Sequence, residues 1–133
     1  MKTESTTLSI TNTTKGKLPR LPFATIHEMK DKILGKNYEL SIACVGDATS
    51  KRLNMKLRGK NYPTNILSFE LSKTSGELVF NLKKVAQDAP LFEKNFAHFF
   101  GFLLIHGMLH LKGMQHGSTM ERVETKWSKY FGF

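Results

Sequence analysis

Along the chain the hydrophobic and polar positions change period several times, and each change predicts an element. The Thr-rich stretch Thr6 to Thr13 has the β-branched character of a first strand. After Pro19 and Pro22, residues Phe23, Ile26, Lys30 and Ile33 recur at helical spacing, and Gly35 closes that helix. Tyr38 to Val45 alternates as a second strand. Asp47 is placed to cap a helix running through Leu53 and Leu57 to about Arg58. A loop over Gly59 to Thr64 leads to a strand at Ile66 to Leu71. Ser75-Gly76 then turns the chain into a strand at Glu77 to Phe80. Asn81 caps a short helix containing Val85 and Ala86, and Pro90 opens a long apolar helix ending near Gly113. A last helix starts near Ser118 and runs into the aromatic tail. Strands and helices mix without strict alternation, which predicts an α+β fold with a small mixed sheet.

Composition adds limits to this picture. With 133 residues and neither repeat nor long linker, the chain is expected to form one domain over residues 1–133. Hydrophobic residues make up 40% and charged residues 23%, as in soluble globular proteins. The apolar run Phe96 to Leu111 is short for a bilayer and carries His98, His106 and His110, so it predicts a buried helix and no membrane span. Met1-Lys2-Thr3-Glu4-Ser5 leads into no apolar stretch, and a cytoplasmic location is expected. Cys44 is the single cysteine, which leaves no intrachain disulfide and no Cys-rich zinc knuckle. It follows Leu40 and Ile42 in the strand pattern and is expected to be a core thiol. The net charge of +9 attracts polyanions, nucleic acid being the commonest, or serves solubility alone.

The chemistry concentrates in His106-Gly-Met-Leu-His110-Leu-Lys-Gly-Met-Gln-His116, which holds three of the five histidines. His106 and His110 are four apart, so on a helix both rings leave one face, one turn apart. Two imidazoles at that spacing can bind one ion while the backbone stays helical. Gly113 can end the helix in a left-handed conformation and bring His116 toward the same ion. Three neutral imidazoles leave a tetrahedral zinc with one open position, the arrangement of a catalytic site. Residue 107 is glycine where zinc peptidases carry a glutamate base, so a peptidase is disfavoured. Gly107 instead lets another segment approach the helix closely.

This segment resembles the signature of the YbeY family of bacterial rRNA-maturation endoribonucleases, His-Gly-x-Leu-His-Leu-x-Gly-Tyr-Asp-His. The chain keeps the three histidines, Gly107, Leu109, Leu111 and Gly113. Further blocks are similar to that family: Leu53-Asn54, Arg58-Gly59-Lys60, Pro63 through Phe69, and Gly76-Glu77-Leu78. Met120 and Glu124 fit its last helix. The resemblance runs from about Leu40 to the C-terminus. It implies a mixed four-stranded sheet flanked by helices, and a metal site on the long helix and the turn after it, with His106, His110 and His116 as ligands. It also implies cleavage of single-stranded RNA, with ribosomal RNA or the ribosome as partner, in small-subunit rRNA maturation and ribosome quality control. Three departures stand out: Met114-Gln115 replaces Tyr-Asp, Asn65 replaces the usual Asp, and Glu77 replaces the Asp after Gly76.

Roles can be set out on this basis. The metal, taken as one zinc per chain, would acidify bound water or polarise a phosphoryl oxygen. By itself Arg58 reads as a solvated charge at a helix end. The resemblance makes it the functional arginine, able to grip the scissile phosphate with a bidentate fork. Lys56 and Lys60 are candidate phosphate contacts. Gln115 can offer an amide oxygen to the ring of His116 in place of the family's carboxylate. A metal-dependent hydrolase of another substrate class, or a non-catalytic RNA- or ribosome-binding module with a structural zinc, remain the alternatives.

Overall fold

A computed structural model describes residues 2–133. Five strands form one mixed sheet in the order β1-β2-β3-β5-β4. They are β1 (Lys2–Glu4), β2 (Leu8–Asn12), β3 (Glu39–Cys44), β4 (Ile66–Ser72) and β5 (Ser75–Phe80). The helices are α1 (Phe23–Ile33), α2 (Asp47–Arg58), α3 (Leu82–Asp88), α4 (Phe96–Leu111) and α5 (Ser118–Phe131). The architecture is α+β, as the mixed patterning predicts, but the sheet has five strands rather than four. The additional β1 pairs antiparallel with β2 through Lys2↔Thr11, Thr3↔Ile10 and Glu4↔Ser9. Its three residues, Lys-Thr-Glu, are all exposed, so no hydrophobic periodicity marks it; only backbone pairing holds it at the edge.

β2, β3 and β5 run parallel, and β4 joins β5 as an antiparallel hairpin. Alternation along these strands sends Leu8, Ile10, Leu40, Ile42, Cys44, Ile66, Leu78 and Phe80 into one core. Helix α1 adds Ile26, Met29 and Ile33 to it, α3 adds Val85, and α4 adds Phe99, Phe100, Leu104, Ile105 and Met108. Each such side chain contributes on the order of 2 kcal/mol on burial. Phe80 and Phe100 meet with ring centroids 4.6 Å apart. Cys44 is fully buried and unpaired, and burial pushes its thiol up to about 12, which makes it the inert core residue that its strand position predicts.

One buried position breaks the apolar pattern. Lys30 is 0% exposed on the inner face of α1. Its Nζ donates to Thr7 Oγ1 at 3.0 Å, to the Gly35 carbonyl at 3.2 Å and to the Lys36 carbonyl at 3.0 Å. It also lies 2.7 Å from Asp31 Oδ1. The amine thus gathers two carbonyls of the turn that follows α1 and ties that turn to the residue before β2. Burial works to raise the Asp31 carboxyl, but Lys30 and His27 outweigh it and hold that carboxyl below its usual range.

Three boundaries differ from the sequence expectation, the first being that Ser75-Gly76, expected as a turn, instead open β5. Asp47 is not the cap of α2: Gly46 holds that position, and the Asp47 carboxylate instead accepts from Asn81 Nδ2 at 2.7 Å and Lys83 Nζ at 3.2 Å. Pro90 does not open the long helix. It lies in a separate 3-10 turn, Ala89–Phe92, and α4 begins beyond Asn95, whose side chain accepts from the His98 N–H at 2.8 Å. None of the helices among the described residues is long and apolar enough to cross a membrane.

Candidate metal centre

Helix α4 lies against the β4–β5 hairpin, and glycine permits the approach. A Cβ on Gly107 would come 2.7 Å from Leu78 Cδ2 and 2.9 Å from Ile66 Cδ1. The core thus fixes α4 on the side of Gly107, Met108 and Leu104, and the rings of His106 and His110 stay half-buried. At the helix end the Gly113 N–H bonds the His110 carbonyl at 2.9 Å, and the Met114 N–H bonds the Leu109 carbonyl at 3.0 Å. Gly113 itself has φ +101°, a conformation that L side chains rarely adopt, so this turn requires glycine. The turn swings His116, which is exposed, back over the helix. His106, His110 and His116 each present a ligand atom, and these atoms lie within 4.8 Å of one another.

Hydrogen bonding decides which nitrogens converge. His106 Nδ1 faces the carboxylate of Glu124, and His110 Nδ1 donates to the Met114 carbonyl at 3.0 Å. With each Nδ1–H committed outward, each Nε2 keeps its lone pair. The two Nε2 atoms face one another at 3.1 Å. Two lone pairs at that separation repel unless a cation lies between them. Two imidazoles on a tetrahedral zinc, at about 2.0–2.1 Å each, stand about 3.3 Å apart. The donor set therefore fits a divalent ion, and the three histidines can hold one. Burial pushes His110 below the usual imidazole range; His106, His116 and Arg58 push the same way, and only the Met114 carbonyl opposes them. A lowered value keeps the ring neutral, as a ligand must be.

Glu124 owes its position to the amphipathic pattern of α5. Met120, Glu124 and Ser128 recur every four residues and are all buried where α5 packs along α4. A buried carboxylate bonded to a histidine ring fixes its tautomer and orientation and raises its basicity. Sequence reasoning put Glu124 in the last helix but missed this contact, since eighteen residues separate the partners. The signal was a glutamate on the apolar stripe of a helix, where an unpaired charge is costly.

The other singled-out residues divide. Arg58 ends α2, is exposed, and its charge reaches His110. Lys56 and Lys60 are exposed near the same helix end, with Lys51 and Arg52 on the preceding turns, so α2 presents a basic surface. Asn65 is engaged elsewhere: its amide donates to Asp88 Oδ2 at 3.1 Å, where an aspartate would set two carboxylates together. Glu77 projects beside Ser41 across the β3–β5 ladder, and burial raises its carboxyl while the Ser41 hydroxyl works to lower it. Gln115 is exposed and takes part in none of the side-chain hydrogen bonds found among the described residues. The outward bonds of His106 and His110 come from Glu124 and the Met114 carbonyl instead.

Comparison with known proteins gives a consistent answer. Residues 4–129 match the model of the family described as Endoribonuclease YbeY. A protein named Endoribonuclease YbeY from Aromatoleum aromaticum is 37% identical over 103 residues, covering 71% of this chain and 67% of the relative. One of the same name from Thermodesulfovibrio yellowstonii is 38% identical over 105 residues, covering 68% and 66%. The chain thus spans about two thirds of the length of these relatives. The fold is similar to the solution structure of TM1509 from Thermotoga maritima, with a TM-score of 0.64, 24% identity, and 93% and 88% of the two chains covered.

Proposed function

The chain belongs to the YbeY endoribonuclease family, and we propose that it is a single-domain, metal-dependent endoribonuclease cutting single-stranded RNA, ribosomal RNA above all, in small-subunit rRNA maturation and ribosome quality control. The observation that carries the metal-dependent part is the pair of Nε2 atoms facing one another at 3.1 Å beside His116. A zinc held there supplies Lewis-acid chemistry, polarising a phosphoryl oxygen and acidifying water.

The chain's own residues do the rest. Glu124 and the Met114 carbonyl hold the rings of His106 and His110 with Nε2 inward. Arg58, always charged, grips the scissile phosphate and stabilises the charge that develops on its oxygens. Lys56 and Lys60 guide the strand along α2, in keeping with the net charge of +9. The surface around Arg58 thus suits a polyanion better than the uncharged substrates of a peptidase or amidohydrolase.

The test is cleavage of single-stranded RNA by metal-loaded protein, with Arg58 varied. Arg58→Ala should keep the metal and the melting temperature yet lose cleavage by about 10²-fold or more, as on removal of one transition-state donor. Arg58→Lys should recover only part of the loss, because a point charge lacks the fork. Undiminished cleavage by Arg58→Ala would remove the arginine from the mechanism.

Glu124 gives a separate expectation. Glu124→Gln can still accept the His106 N–H but removes the negative charge, whereas Glu124→Ala removes both. Metal affinity should fall in the order wild type, Glu124→Gln, Glu124→Ala, by about 10- to 100-fold at the extreme. Competition with a chelator measures it, and three equal affinities would make Glu124 a packing residue only.

A further inference from the structure

Beside the histidines lies a cavity of about 280 Å³ that the metal chemistry does not use. His106 and His116, the rings of Phe92 and Phe102, and the carboxylates of Glu121 and Glu124 all line it. Phe92 ends the 3-10 turn and is 52% exposed, although its ring stacks on fully buried Phe99 with centroids 4.8 Å apart and planes at 23°. Farther in, Phe102 is stacked toward Phe99 at 6.3 Å and toward His106 at 6.5 Å. Flat rings thus lead in tiers from the surface to a proposed metal ligand. Lys94 Nζ sits 5.5 Å over the Phe102 ring but does not line the cavity.

The backbone that presents Phe92 is itself unusual. Glu93, the next residue, has φ 55° and is the one non-glycine residue with positive φ among those described. Strain of this kind persists where the surroundings hold it and concentrates at ligand-binding segments. An exposed phenylalanine on such a turn, stacked from behind and open in front, is built to receive another flat ring.

Charge says which part of an RNA that ring is. Glu121 and Glu124 line the cavity and no lysine or arginine does, so a phosphate is repelled from its interior and the sugar-phosphate backbone stays outside it. Carboxylates are acceptor-only and suit the N–H edges of bases. Resting on the RNA-cleavage reading above, we propose that this cavity is a nucleobase pocket for the residue adjoining the scissile phosphate, its base stacked on Phe92 and its amino edge turned to Glu121. A base can enter only after leaving a helical stack, so the pocket gives single-strand specificity a structural cause. Amino-bearing bases are preferred to uracil, whose N3–H lies between two carbonyls that the carboxylate repels.

Binding tests the pocket without any cleavage. The probe is a single-stranded 2′-O-methyl oligonucleotide carrying one 2-aminopurine, a base whose fluorescence is quenched by stacking. Wild-type protein should quench it at one position of the label. Phe92→Leu should abolish that quenching and weaken binding by about 10-fold, the effect of losing one stacking platform, with the salt dependence unchanged. Phe92→Trp should restore both, and Leu91→Ala, on an exposed neighbour outside the cavity, should change neither. Melting curves of the variants check folding. Equal quenching by wild type and Phe92→Leu overturns the pocket while leaving the RNA reading intact. An oligonucleotide that fails to bind wild type even at low salt overturns the RNA reading, and the pocket with it.

Discussion

Replacing His106 and His110 together with alanine should strip the divalent ion from the purified protein and cut cleavage of single-stranded RNA more than about 10³-fold, beyond the loss of a single transition-state donor. The cause is geometric. These two side chains supply the convergent Nε2 atoms, and His116 alone, on an exposed turn, makes one weak ligand. Folding should survive, because both rings are only half-buried. Protons compete for the imidazoles, so the ion should also be lost as pH falls below about 6. His110, held below the ordinary imidazole range chiefly by burial, keeps its lone pair to lower pH than an ordinary histidine does. Elemental analysis reads the result, and equal metal in wild type and double mutant would end the assignment.

Lys30→Met should produce the largest loss of stability without touching the site. Methionine matches the stem of lysine but removes the charge beside Asp31 and the donor to the Lys36 carbonyl and the Thr7 hydroxyl, and leaves the Gly35 carbonyl only the Tyr38 N–H. Removing one partner from such a cluster costs about 3 kcal/mol, or a fall of roughly 10 °C in Tm for a chain of this size. Urea denaturation measures the loss, and metal content should stay at the wild-type level. A cost below about 1 kcal/mol would mean that water reaches those carbonyls and replaces the amine.

The histidines and Lys30 differ in how far the sequence revealed them. The histidines were legible because their information is local: a four-residue spacing and a glycine just past the helix end fix their mutual position. Lys30 was legible as an inward position of α1, but not as a buried cation, because its partners lie in another segment and in backbone carbonyls. Glu124 and Phe92 were hidden for related reasons. The first acts across the α4–α5 packing, and the second stands beyond a helix start that Pro90 mimicked and Asn95 supplies. β1 carries no pattern at all, since an exposed three-residue edge strand is specified only by its neighbour. Gln115, expected to bond the ring of His116, is exposed, while His106 and His110 find their outward partners in Glu124 and in the Met114 carbonyl, the latter a matter of backbone geometry that no side-chain pattern records.

The placing of α4 over the β4–β5 hairpin also bears on the order in which the molecule assembles. Ser72 pairs with Ser75 across a tight turn, so that hairpin closes with little loss of chain entropy. The parallel pairs cannot form so cheaply: Leu8 must find Leu40, and Ile42 must find Leu78, each across a long crossover. Once formed, the hairpin offers Ile66 and Leu78 as a seat for α4 at Gly107. Loop-closure entropy therefore favours a nucleus of β4, β5 and α4, with β2 and β3 added later. Two of the three histidines ride on that nucleus, so their scaffold is expected early on the folding pathway, and substitutions at Gly107 should slow folding more than they speed unfolding.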